Sequence, residues 1–192
     1  MKLYLIRHGA TKEGAEGIIL GSIGGNLNEK GLKYSENVAG FFINHKIAVA
    51  KLLCSDLSRA IQTAEIISKQ LNLPLTKYSL IRERSAGIAE GKKEIDIDWE
   101  RYESVSLPDR KHLGGESFQE VKNRAEQFLN MLKEGQQEDI LIISHSVFIL
   151  MLLSLIKNTS IETELKTKTG NQIFIIDLDR KTIETIDITH SQ

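Results

Sequence analysis

Two kinds of apolar pattern alternate along this chain: short continuous runs of strand length, and longer stretches with apolar residues three or four positions apart. The first run, Leu3 to Ile6, predicts a buried strand that stops at Arg7-His8-Gly9. Glycines at 14, 17, 21, 24 and 25 follow without periodicity and predict a loop over that strand end, with no helix opening at them. Asn28 then suits the N-cap of a helix through about residue 44, with Leu32, Val38, Ala39 and Phe42 on its apolar face. A second strand is expected over 47–54, and Ser55 or Asp56 as cap of a helix to about residue 71, facing inward through Ala60, Ala64, Ile67 and Leu71. A third strand falls at 74–78, and a polar turn at 80–87 holds Glu83 between Arg82 and Arg84. Residues 89–115 are charged and aperiodic, and read as a lid-like insertion with one short helix near 95–102. From Ser117 a helix is expected to about residue 133, its face set by Phe118, Val121, Ala125, Phe128 and Leu132. A buried strand at 139–144 ends at Ser144-His145-Ser146 and leads into an apolar helix at 147–156. Runs at 172–178 and 182–188, separated by Asp179-Arg180-Lys181, predict a terminal hairpin.

Strands alternating with helices predict an α/β fold, a three-layer sandwich. Its central sheet should be mostly parallel, with helices on both faces and an antiparallel C-terminal edge strand. The 192 residues suit a single domain, 1–192, carrying the insertion.

Composition narrows the function classes. Charged residues at 27% and a net charge of -1 give no general electrostatic attraction to nucleic acid or to an acidic membrane, so any basic site must be local. The longest apolar run, 147–153, is far short of the roughly 20 residues of a membrane span. One cysteine, Cys54, excludes an internal disulfide framework and reads as a small core residue. With no leader-like pattern before the first strand, the expectation is a cytoplasmic protein; a homodimer is compatible with the chain.

The candidate chemistry recurs at strand ends. Arg7 and His8 follow the first strand, Arg59 lies one turn into the helix after the second, Glu83 follows the third, and His145 ends the strand at 139–144. In an open α/β sheet these carboxyl ends share one crevice, where ligands bind. Two permanent cations, two imidazoles and a carboxylate there suit a phosphoryl group, helped by the helix N-termini near Asp56 and Ser146. Each residue alone has a structural alternative: Arg59 on a solvated helix face, Glu83 as partner of Arg82 or Arg84, His145 as a hydrogen-bonded strand-end residue. His45, His112 and His190 read as solvent-facing, and Trp99 and Tyr102 as packing for the insertion or a surface over substrate.

Leu5-Ile6-Arg7-His8-Gly9-Ala10-Thr11 and Ser55-Asp56-Leu57-Ser58-Arg59-Ala60-Ile61-Gln62-Thr63-Ala64 resemble the signature segments of the histidine phosphatase, or phosphoglycerate-mutase-like, superfamily. Ile81-Arg82-Glu83-Arg84, Gly87, Glu90-Gly91, Gly114-Gly115-Glu116-Ser117 and Ser144-His145 continue the resemblance in the same order. It implies a phosphohistidine on His8, phosphoryl oxygens held by Arg7, Arg59 and His145 with Thr11 and Ser146 nearby, and Glu83 as proton donor. No metal or other cofactor is implied, and the expected partner is a small phosphorylated substrate. The chain departs from common members at Ala10 (usually Glu), Gly14 (often Asn), Ala89 (Trp or Phe) and Ser146 (Gly). These changes leave the five core residues and bear on substrate identity; α-ribazole phosphate and sugar phosphates are equally compatible. The leading expectation is a metal-independent phosphomonoesterase. Mutase-type transfer, a metallohydrolase liganded by His8, His145 and Glu83, and a non-catalytic phospho-ligand module are the alternatives.

Overall fold

The computed structural model describes residues 1–135 and 138–188. Its six-stranded sheet has the order β3-β2-β4-β1-β5-β6, formed by β1 (Lys2–Arg7), β2 (Lys51–Ser55), β3 (Leu75–Tyr78), β4 (Ile140–Ser144), β5 (Gln172–Asp177) and β6 (Thr182–Asp187). The β1–β4, β4–β2 and β2–β3 joints are parallel, whereas β1–β5 and β5–β6 are antiparallel. This is the expected α/β architecture, mostly parallel with an antiparallel C-terminal edge.

Side-chain alternation explains why helices cover both faces. Leu3 and Leu5 of β1, Ile140 and Ile142 of β4, and Phe174 and Ile176 of β5 point into one core, closed by α5 (Phe118–Glu134) and α6 (Ser146–Lys157). Their neighbours Tyr4, Ile6, Leu141, Ile143 and Ile173 point into the other, closed by α2 (Glu29–Asn44) and α3 (Ser58–Leu71). A strand apolar on both sides must be buried on both sides, and each such side chain contributes about 1.5–3 kcal/mol.

Helix ends follow local chemistry with some corrections. Asn28 caps α2, accepting from the Gly31 N–H at 2.9 Å, and Ser117 with Glu120 forms a reciprocal capping box on α5. Leu32, expected on the inner face of α2, is exposed, while Tyr34 and Phe41 are buried there. The second strand starts at Lys51 rather than 47: Ile47 and Val49 pack against the core from the irregular stretch before it, and their apolar character reflects that packing rather than strand pairing. Neither Ser55 nor Asp56 caps α3. Its N-cap is Leu57, with no side-chain bond; Ser55 Oγ accepts from the Leu57 N–H, and the Asp56 carboxylate accepts from Nε and one terminal nitrogen of Arg82, both at 2.6 Å. A one-turn helix α1 (Lys12–Ala15) does open beside Gly14, because Thr11 Oγ1 accepts from the Gly14 N–H at 3.0 Å. In the insertion the helix is α4 (Trp99–Glu103), capped by Asp98, and a further turn, α7 (Ile161–Glu164), was not anticipated.

Two glycines set how closely the first strand end approaches α2. A Cβ on Gly31 would lie 2.1 Å from the Ala10 carbonyl oxygen, and one on Gly9 would lie 2.5 Å from the Gly31 carbonyl oxygen. Helix propensity alone favours alanine over glycine by about 1 kcal/mol. Backbone contact cannot yield as a side chain can, so we expect Gly31→Ala to destabilise the protein by about 1–3 kcal/mol, measured by urea unfolding. A more stable variant would show that the strand end can move away from the helix.

Candidate active site

The parallel register aligns the reactive strand ends: Arg7 faces Ser144 across β1 and β4, and the His8 N–H donates to the Ser144 carbonyl at 3.0 Å. The turn after His8 is held by the Gly9 N–H, which donates to Thr63 Oγ1 at 3.0 Å; that hydroxyl donates to the Arg59 carbonyl at 2.9 Å. One threonine thus joins the ends of β1 and α3.

Arg59 is only 2% exposed. Its Nε donates to His8 Nε2 at 3.1 Å, and its two terminal nitrogens donate to the Ile23 and Gly21 carbonyls, both at 2.7 Å. A guanidinium has no acceptor, so His8 Nε2 must carry the lone pair and Nδ1 the proton, which goes to the Gly9 carbonyl at 2.7 Å. Burial, then the charges of Arg59 and Arg7, hold the His8 pKa well below its ordinary value. His8 is therefore neutral, in one tautomer.

His145 sits at the N-cap of α6, fully buried, its ring centroid 4.9 Å from that of His8. Burial and then the neighbouring His8, Arg59 and Arg7 push its pKa well down. Neither His145 ring nitrogen has a hydrogen-bond partner among the described residues, nor does the buried Nε of Arg7. Unpaired buried donors are costly, and here they cluster beside a lone pair. Glu83 accepts from the Arg84 N–H at 2.8 Å and from the Val147 N–H, in the first turn of α6, at 3.1 Å. It is not the side-chain partner of its neighbours: Arg82 pairs with Asp56, and the Arg84 guanidinium lies 4.4 Å over the Phe118 ring.

The remaining candidates are engaged locally. Thr11 caps α1, and Ser146 Oγ shares a 2.7 Å hydrogen bond with Thr169. A Cβ at Gly14 would come within 2.8 Å of Thr11 Oγ1, so the Gly14 departure and the Thr11 cap are linked. A cleft of about 640 Å³, lined by residues including Thr11, Gly14, Asn28 and Lys30, meets the cluster at Arg7 and His8. Arg59, Glu83 and His145 do not line it, Arg59 being roofed by the Gly21 and Ile23 backbone. Among the described residues no group of three or more His, Cys, Asp or Glu is placed to hold a metal ion.

Other expectations resolve simply. Cys54 is buried, and burial pushes its thiol up to about 12. Tyr102 is buried against His112, with ring centroids 4.3 Å apart, so His112 is half-buried rather than solvent-facing; Trp99 is 41% exposed. His45 is exposed, and His190 lies outside the described residues. Sequence reasoning missed Arg124, which donates to the Leu80 and Arg82 carbonyls at 2.7 and 2.9 Å while paired with Glu116, and so fixes the backbone that carries Glu83. An arginine on the half-buried side of a periodic helix was the available signal.

Fold and site together define an α/β protein with a cationic, imidazole-lined crevice at the carboxyl edge of its sheet. The profile of the histidine phosphatase superfamily (branch 1) matches residues 3–187, and the chain belongs to that superfamily. It is 30% identical over 160 residues to the adenosylcobalamin/alpha-ribazole phosphatase of Escherichia coli K12, covering 80% of this chain and 78% of that one. It is 32% identical over 163 residues to the Salmonella paratyphi A protein named "Probable phosphoglycerate mutase GpmB", covering 81% and 74%. The crystal structure of the alpha-ribazole phosphatase from Shigella flexneri superposes with a TM-score of 0.86 at 25% identity, covering 97% of this chain and 95% of that one. Among the described residues no helix is long and apolar enough to cross a membrane.

The two neutral imidazoles link stability to pH. Unfolded histidines take up protons as pH falls through about 6.5, while His8 and His145, with folded pKa values depressed below that, do not. The unfolded chain then binds more protons, so stability is full above this range and declines below it. We expect a loss approaching about 1.4 kcal/mol per pH unit for each imidazole between pH 6.5 and 5, and a shallower loss in His8→Ala. Urea unfolding across pH 8 to 5 measures it; a flat profile would mean that these rings protonate in the folded state.

Proposed function

We propose that the chain is a metal-independent phosphomonoesterase that hydrolyses a small phosphorylated metabolite through a phosphohistidine on His8. The observation that carries this reading is the His8 ring, its Nδ1 proton on the Gly9 carbonyl and its Nε2 lone pair turned to Arg59. A neutral imidazole fixed this way can attack phosphorus without losing a proton first. Arg7, Arg59 and a ring N–H of His145 supply donors for the phosphoryl oxygens; the unpartnered Nε of Arg7 and ring nitrogens of His145 support that assignment.

In the first step the Arg59 Nε–H passes from His8 Nε2 to a phosphoryl oxygen, the freed Nε2 lone pair bonds to phosphorus while the P–O ester bond breaks, and Glu83 in its acid form gives its proton to the departing oxygen. In the second, Glu83 as carboxylate takes a proton from water, the water oxygen bonds to phosphorus, and the P–N electron pair returns to Nε2. The hydrogen bond that Glu83 accepts from the Val147 N–H, in the first turn of the helix that begins at His145, supports this role. Thr11 and Ser146 belong to the wall around the phosphoryl group and orient it through the loops they cap and tie. The relatives divide between phosphatase and mutase names, so water and an acceptor hydroxyl must be compared as phosphoryl acceptors. The phosphatase relatives support a sugar-phosphate type of ester as the first substrate class to screen.

Quenched turnover of labelled substrate should leave label on His8 that survives base and is lost in acid, and His8→Ala should be folded and inactive. Label on a serine or aspartate, or a folded His8→Ala with wild-type turnover, sinks the proposal. Glu83→Gln should slow the single-turnover burst with an alkyl phosphate on the order of 10²-fold or more, and much less with an aryl phosphate whose phenolate leaves unaided. Equal losses on both would assign Glu83 to positioning.

A further inference from the structure

The carbonyls that hold Arg59 belong to a glycine-rich loop with little apolar anchorage, so something else must fix it. Ser58 Oγ accepts from the Gly25 N–H at 2.9 Å and donates to the Gly25 carbonyl at 2.8 Å, which secures the far end. The near end is paired with the segment after Gly91: the Ile19 N–H donates to the Lys92 carbonyl and the Gly91 N–H to the Ile19 carbonyl. Between these ends lies Ser22, flanked by the two residues whose carbonyls take the guanidinium.

A single carboxylate oxygen meets that point. Glu90 Oε1 accepts from the Ser22 N–H at 2.8 Å and the Ser22 hydroxyl at 2.7 Å, and from the Ala86 N–H at 2.9 Å and the Ser85 hydroxyl at 3.1 Å. The fit leaves no room: a Cβ on Gly21, which has a positive φ of 49°, would lie 2.5 Å from that same oxygen. Burial pushes the Glu90 carboxyl up, but the hydrogen bonds outweigh it and leave the group below its usual value. We infer that Glu90 is a positioning residue, whose carboxylate gathers the Gly21–Ile23 backbone so that its carbonyls aim the Arg59 guanidinium at His8 Nε2. Arg59 has five N–H donors, of which Nε and one on each terminal nitrogen are used by protein acceptors, leaving two for a phosphoryl oxygen. Without the Glu90 tie those two lose their direction, although Arg59 keeps its charge.

The inference rests on the reading of His8 and Arg59 as the phosphoryl site, and the test separates the two. Phosphoenzyme formation from 4-nitrophenyl phosphate is measured in single turnover for Arg59→Ala, Glu90→Ala, Glu90→Gln and the Arg59→Ala/Glu90→Ala double variant. Glu90→Ala should slow the step on the order of 10²-fold, the scale of losing one preorganised donor. Glu90→Gln keeps an acceptor at the same place and should recover most of that loss, and the double variant should be no slower than Arg59→Ala. Losses that multiply in the double variant, or a Glu90→Ala enzyme as fast as wild type, overturn the inference. An Arg59→Ala enzyme that forms phosphoenzyme at the wild-type rate overturns the site reading instead.

A readout independent of turnover is the ¹⁵N resonance of His8 Nε2. It should shift toward that of an unbonded acceptor in Glu90→Ala and stay near wild type in Glu90→Gln. An unchanged resonance in Glu90→Ala overturns the inference whatever the kinetics. Should Glu90→Ala fail to fold, Ser22→Ala removes one of the four bonds at a half-buried loop position. It should move the same resonance and slow the same step several-fold, and no change in either overturns the inference.

Discussion

A buried guanidinium held by an imidazole and two carbonyls, with no carboxylate bonded to it among the described residues, is the constraint on which this structure depends. Removing a charge from water is expensive, and burial pulls the Arg59 pKa down against the field of Glu83. The dipoles of Gly21, Ile23 and the His8 lone pair offset that cost only when the loop lies flat over α3. The glycine-rich course of residues 17–27, the Ser58 tie at its far end and the backbone pairing of Ile19 with Gly91 and Lys92 at its near end all serve that placement. A carboxylate in place of those carbonyls would neutralise the cation, and the crevice would lose its pull on anions.

The sheet supplies the rigid part of the arrangement. Parallel pairing of β4 with β1 and with β2 puts three strand ends at one edge, and the antiparallel β5 begins there, bringing Asn171 to the rim of the cleft. Close backbone approach then fixes the first turn, since Gly9 and Gly31 meet with no side chain between them. On the other side, Ser144 Oγ donates to the Ile81 carbonyl at 2.7 Å and Arg124 holds the next carbonyls, so the Glu83 segment cannot drift from α6. Histidines held neutral in this setting oppose stability in acid, a cost that follows from keeping a lone pair available.

Local contacts fix two further positions. Gly14 permits the Thr11 cap that a larger residue would crowd, and Ser146 finds Thr169 where a glycine would find nothing.

The sequence by itself determined the strands, the long helices and the sheet edge at which the candidate residues stand. Runs such as Leu3–Ile6 and Ile140–Ile143, apolar on both sides, can only be central strands, and Arg7, His8 and His145 stand where such strands end. Asn28 and Ser117 announce their helices because capping is a local bond. What only the tertiary structure decided depends on contacts between distant segments. Asp56 reads as a helix cap in sequence, yet an arginine 26 positions away outcompetes the local N–H groups for it. Gly14 reads as loop, yet Thr11 caps a turn through it. The His8 tautomer, the roof over Arg59 and the meeting of Glu90 with Ser22 span gaps of 51, 36 to 38, and 68 residues. Hydrogen bonds at such separations leave no periodicity in a chain, because they are specified by the packing of the whole sheet rather than by any one segment.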